Sequence, residues 1–221
     1  MSPDWSEPKV EVTDATTGTV QFTVDIAEGA TVHTMTFDPT GKVLAIADNA
    51  GLIQTWDTGT GRMLREFSGH HLSVWSLAFS PAGGRLAAGT AAGLSLWDTA
   101  TGAHIQYRLG IDSWGADIGA VQPIFSPDGR HIAMSTFGPR VLLWDLETGA
   151  LAAELAADSG TGALAFSPDG RTLAFGGQDL ILTDLGFLHD PYATVCDGAG
   201  RTLTADERRT YGIDPGLKVC T

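Results

Sequence analysis

Cysteine is nearly absent. Cys196 and Cys220 are the only two in 221 residues, which excludes the disulfide-dense scaffold of a small secreted domain. The 23 residues between them contain no His and no further Cys, so a zinc site has little support. A bond between the pair would close a loop of roughly two dozen residues and contribute about 3 kcal/mol; two buried free thiols are the other reading. Long apolar runs are also missing, and no stretch approaches the ~20 residues that span a bilayer. The opening M-S-P-D-W-S-E-P-K has neither a basic start nor an apolar core, unlike a signal peptide. Basic residues are scarce, 13 Lys and Arg against 26 Asp and Glu, for a net charge of −13. No Lys/Arg cluster interrupts that excess, which argues against a nucleic-acid partner. The expectation is a cytoplasmic soluble protein without membrane contact.

Catalytic signatures are missing too. There is no G-x-S-x-G turn, and Gly41-Lys42 has Thr36 where a phosphate-binding loop needs its first glycine. The histidines (His33, His70, His71, His104, His131, His189) never fall at H-x-x-x-H metal spacing. A non-enzyme with no cofactor and no metal is expected.

What the chain does have is glycine, 28 residues of it, and 43% hydrophobic content, suited to a globular fold with many tight turns. One phrase recurs: F-D-P-T-G-K-V-L-A from Phe37, F-S-P-A-G-G-R-L-A from Phe79, F-S-P-D-G-R-H-I-A from Phe125 and F-S-P-D-G-R-T-L-A from Phe166, at intervals of 42, 46 and 41. Each begins as an apolar strand, turns on Pro, Asp or Gly, and continues into a second strand at Val43–Ala47, Leu86–Gly89, His131–Ser135 or Thr172–Phe175. A third strand then closes on Asp: I-Q-T-W-D, L-S-L-W-D, V-L-L-W-D and L-I-L-T-D. A period near 40 ending in Trp-Asp resembles the WD40 repeat family. The resemblance implies an all-β fold, a β-propeller of four-stranded blades that stack radially because none buries its faces alone. Trp56, Trp97 and Trp144 then read as packing between blades, and Asp57, Asp98 and Asp145 as turn-capping carboxylates. Gly69-His70 resembles the dipeptide that begins such a repeat, and the second blade alone has it.

Lys9–Thr13 followed by D-A-T-T-G matches the end of a third strand and its turn, with no room before it for two inner strands. The expected organisation is a partial N-terminal blade at 1–18, four blades over 19–186 and a C-terminal extension at 187–221. Completion by a longer propeller, a second copy or another polypeptide all stay open, a truncated or mis-started gene being the plainest reading. In the extension, Thr204 and Glu207 have capping-box spacing for a short helix to Tyr211, with Leu203 before the cap and Gly212 after it. This segment resembles the Cys-flanked tail of bacterial WD40 proteins, with Glu207-Arg208 where that tail usually has Glu-Trp, and it implies that the natural C-terminus is present.

For function, the resemblance implies that the loops before each innermost strand form the partner-binding face. Four residues before each Phe stand His33, Trp75, Val121 and Gly162, and Trp75 is the natural interface anchor among them. The longest repeat carries I-D-S-W-G-A-D-I-G at 111–119, which places Trp114 beside Asp112 in a Gly-rich insert. A non-enzymatic protein–protein interaction scaffold of the kind that serves as the docking or sensor part of a larger signalling protein is therefore expected, with self-association or strand addition at the incomplete blade as a rival contact. The alternative is a TolB-like or peptidase-associated propeller accessory to a hydrolase, which the S-P-D-G-R phrases also resemble; those blades lack the Trp-Asp ending.

Overall fold

The computed structural model describes residues 9–67, 73–90, 93–105, 120–136, 138–157, 162–177 and 179–189. Its strands form five antiparallel sheets, and the order within each sheet follows the chain. The first holds only β1 (Lys9–Thr13) and β2 (Val20–Asp25). The second holds β3 (Val32–Phe37), β4 (Val43–Asp48), β5 (Ile53–Asp57) and β6 (Met63–Phe67). The third holds β7 (Val74–Phe79), β8 (Arg85–Thr90), β9 (Gly93–Asp98) and the two-residue β10 (His104–Ile105). The fourth holds β11 (Ala120–Phe125), β12 (His131–Thr136), β13 (Arg140–Asp145) and β14 (Leu151–Ala156). The fifth holds β15 (Ala163–Phe166), β16 (Thr172–Gly176) and β17 (Leu180–Asp184), followed by the one-turn α1 (Gly186–His189). The first sheet continues past Gly18, beyond the boundary expected there, because Val20–Asp25 finds its ladder partner in β1. Cys196, Cys220 and the expected helix at 204–211 lie outside the described residues.

The phrase folds as its chemistry demands. In the second, third and fourth turns, a serine hydroxyl accepts the backbone N–H that opens the next strand: Arg85 to Ser80 at 3.0 Å, His131 to Ser126 at 2.9 Å and Thr172 to Ser167 at 2.9 Å. The first turn has aspartate instead, and Asp38 Oδ1 accepts Val43 N–H at 2.7 Å. One short acceptor at that position is what the turn needs, so Ser and Asp are interchangeable there.

Each consecutive pair of sheets shares one hydrophobic cluster, so the core is a series of interfaces rather than one centre. Strand alternation assigns the faces. On β4, Leu44 and Ile46 face back onto Val10 and Val24, whereas Ala45 and Ala47 face forward onto Val74, Leu77 and Leu86. On β8, Leu86 and Ala88 face back and Ala87 forward; on β12, Ile132 and Met134 face back and Ala133 forward. Large residues on one face meeting alanine on the next let the sheets interdigitate. Burying each such Leu, Ile or Met stabilises by about 1.5–3 kcal/mol.

Candidate binding rim

Each of the first three innermost strands begins with a break in register. The β3–β4 ladder shifts between Val32 and Thr34, the β7–β8 ladder between Val74 and Ser76, and the β11–β12 ladder between Ala120 and Gln122. The residues bulged out are His33, Trp75 and Val121. A β-bulge inserts one extra residue into the ladder and bends the strand locally. Gly162 lies just before β15, its N–H donating to the Gly176 carbonyl at 3.1 Å. Since β7 packs beside β3 and β11, and β11 beside β15, these positions form a row at one end of the sheets.

Hydrogen bonds hold that end in shape. The Thr31 N–H donates to Asn49 Oδ1 and the Asn49 N–H to the Thr31 carbonyl, both at 3.0 Å. Ser73 Oγ donates to the Asn49 carbonyl at 2.8 Å, linking the second sheet's loop to the lead into β7. Buried Asp48 accepts the N–H groups of Ala50 and Leu52, both at 2.9 Å. On this frame His33 is exposed and Trp75 is 36% exposed. Asp112 and Trp114 lie outside the described residues, as do His70 and His71.

The Trp-Asp pairs stand at the opposite end, since Asp57 pairs in register with Val43 while Val32 pairs with Asp48. Asp57 Oδ1 accepts both the Thr60 hydroxyl and the Thr60 N–H at 2.7 Å, and Asp98 does the same with Thr101. Asp145 accepts the Thr148 N–H at 2.7 Å and its hydroxyl at 3.1 Å. Asp14 accepts the Thr16 and Thr17 N–H groups at 2.8 Å. These donors hold the carboxyls below the usual carboxylate range: chiefly the threonine hydroxyl for Asp57 and Asp98, and the backbone N–H of Thr148 and Thr17 for Asp145 and Asp14. Anions fastened into turns are poorly suited to proton transfer near neutrality. Trp97 is fully buried, edge-on to Phe67 at 6.0 Å and to His104 at 5.4 Å. Trp144 lies in the cluster between the third and fourth sheets, and Trp56 packs against the one between the first and second. Among the described residues, no group of three His, Cys, Asp or Glu could hold a metal ion, and no helix is long and apolar enough to cross a membrane.

Sequence reasoning missed Arg65. Its guanidinium donates to the Ala100 carbonyl at 2.7 Å and the Thr101 carbonyl at 3.0 Å, tying β6 to the next sheet's turn. A contact between positions 35 residues apart leaves no periodic trace. The three bulges fall four residues before their Phe, but His33, Trp75 and Val121 share no residue type that would mark them in the sequence.

Such a row of sheets, with carboxylates fastened into the turns at one end, defines an all-β repeat protein. Comparison with known proteins agrees. Residues 61–98 match the family model described as WD domain, G-beta repeat. The chain is similar to WD repeat-containing protein SL1-17 of Schistosoma mansoni, 30% identical over 149 residues that make up 67% of this chain and 48% of that protein. It is similar to the Periodic tryptophan protein 2 homolog of Neurospora crassa, 32% identical over 51% of this chain and 12% of the relative. It is also similar to the U3 small nucleolar RNA-associated protein 4 homolog of Mus musculus, 28% identical over 60% of this chain and 20% of the relative. These findings support the WD40 repeat family, whose members are generally non-catalytic scaffolds that bind protein partners. The chain spans about half the length of the first of these relatives, and far less of the other two.

Proposed function

We propose that this chain is a non-enzymatic protein-interaction module, the docking part of a larger assembly, and that its partner binds the rim carrying His33 and Trp75. The observation behind this reading is the bulge repeated at the same place in three sheets, at one end of a rigid ladder. Trp75 is the anchor, an aromatic held at the edge of a hydrogen-bonded frame. Asp112 and Trp114, which the sequence puts in the insert before β11, are assigned to the same partner contact. Capture of partners from the source cell by wild type, Trp75→Ala, Trp114→Ala and the outer-strand control Leu64→Ser tests it. Truncating the anchor is expected to weaken the principal partner by about 2 kcal/mol, with the control unaffected. Capture indifferent to both tryptophans would overturn the rim, and turnover of a peptide or ester by the purified chain would overturn the non-enzyme reading.

A further inference from the structure

The turn between β7 and β8 differs from the other three in an acceptor that it lacks. In the turn after β11, Asp128 Oδ1 accepts the Ser126 hydroxyl at 2.5 Å and the Arg130 N–H at 3.0 Å. In the turn after β15, Asp169 Oδ1 accepts the Ser167 hydroxyl at 2.6 Å and the Arg171 N–H at 3.0 Å. One carboxylate oxygen thus collects two donors in each. The turn after β3 uses a hydroxyl there: Thr40 Oγ1 donates to Asp38 Oδ2 at 2.6 Å and accepts the Lys42 N–H at 3.4 Å. The corresponding residue after β7 is Ala82, whose side chain accepts nothing. Ser80 Oγ still accepts the Arg85 N–H at 3.0 Å, but its own proton has no acceptor among the described residues, and neither has the Gly84 N–H. Ser80 is 5% exposed, so its hydroxyl is largely withdrawn from water as well.

Both donors belong to a cleft of 510 Å³ between the third and fourth sheets, walled by Pro81 and Pro127. A Cβ on Gly84 would meet nothing within 4 Å, and Lys42, Arg130 and Arg171 stand at that place in the other phrases. Arg85 lines the same cleft half-buried, its guanidinium without a hydrogen-bond or ion-pair partner among the described residues. Thr99 fixes the turn, its N–H donating to the Gly84 carbonyl at 3.1 Å and its hydroxyl to the Gly83 carbonyl at 2.7 Å. Asp98 and Asp128 also line the cleft, each with Oδ1 fastened into its own turn.

We propose that this cleft binds a carboxylate in the place of the absent turn aspartate, held by Ser80 Oγ and the Gly84 N–H with the Arg85 guanidinium alongside. The ligand also carries a cationic group, because one guanidinium faces two carboxylates here. A zwitterion leaves that balance unchanged, whereas a dianion is repelled by Asp98 and Asp128. An ω-amino acid has this chemistry, and so has an acidic side chain beside a lysine in a peptide. The site lies at the opposite end of the sheets from the rim and does not depend on it.

The test titrates the isotope-labelled full chain at constant ionic strength and follows the Gly84 amide resonance. The probes are β-alanine, the blocked dipeptide acetyl-Glu-Lys-amide, acetate and phosphate. A saturable shift in the millimolar range is expected with β-alanine or the dipeptide, and the tighter of the two tells a free molecule from a chain as the source. Acetate should bind at least about threefold more weakly, and phosphate should not saturate. Ala82→Asp supplies the acceptor from within the turn, so it should abolish the response to ligand while circular dichroism shows the fold intact. Arg85→Leu should weaken binding by at least about tenfold. The proposal fails if neither β-alanine nor the dipeptide gives a saturable shift, if acetate or phosphate binds as tightly, or if binding is indifferent to either substitution.

Discussion

Gly102 and Gly18 share a left-handed backbone, with φ of 74° and 72°, but not their surroundings. A Cβ at Gly102 would lie 2.7 Å from the Arg65 side chain, whereas at Gly18 it meets nothing within 4 Å. Gly18→Ala should thus lose about 1 kcal/mol from backbone strain alone. Gly102→Ala should lose roughly 2–3 kcal/mol, since it also displaces the guanidinium from the Ala100 and Thr101 carbonyls. Urea denaturation of both variants checks this, and equal losses would mean that Arg65 simply moves aside. The turn aspartates govern acid behaviour. Asp14, Asp57, Asp98, Asp145 and Asp169 all have folded pKa values below their ordinary range. Their stabilisation is complete above the unfolded value near ~4 and is lost as pH falls through the lower folded values. The melting temperature should therefore be insensitive to these groups near neutrality and drop below about pH 4. In Asp57→Asn plus Asp98→Asn, which remove two of these groups, the drop should be shallower.

Among the elements, Ile53 and Leu180 hold the same place, four residues before the aspartate that ends the third strand. Ile53 is fully buried under the third sheet, while Leu180 is largely exposed because no described sheet follows β17. Ile53→Ala is expected to cost about 2–5 kcal/mol and Leu180→Ala no more than about 0.5 kcal/mol, measured by chemical denaturation. A comparable loss at Leu180 would show that the chain covers its last sheet. This contrast marks where the sequence stops being readable. The phrase gives away strand, turn and strand because Pro, Gly and a short acceptor are needed locally, and β4, β12 and β16 begin at the expected residues. Which residues form a bulge depends on ladder register, of which the sequence shows only a spacing. Whether Phe37 or Phe79 is covered depends on the neighbouring sheet, and both phrases read alike in that respect.

At the scale of the molecule, the junctions have a direction: β4 and β12 turn large side chains back and alanine forward. An interface whose two faces differ is heterologous, and a heterologous interface that does not close into a ring can propagate without limit. The last sheet offers a forward face rich in apolar side chains, Leu180 and Leu182 among them. The first sheet answers with Lys9, Glu11, Gln21, Thr23 and Asp25, the residues that alternate with buried Val10 and Val24. Charges on such a face oppose end-to-end stacking. Replacing Lys9 and Glu11 with leucine should turn a chain of defined mass into one that elongates end to end, seen as light scattering that rises with concentration. Leu182→Glu, at the other end of the row, should suppress it. The polar outer face of the first hairpin thus works against end-to-end stacking, while its buried face packs on β4.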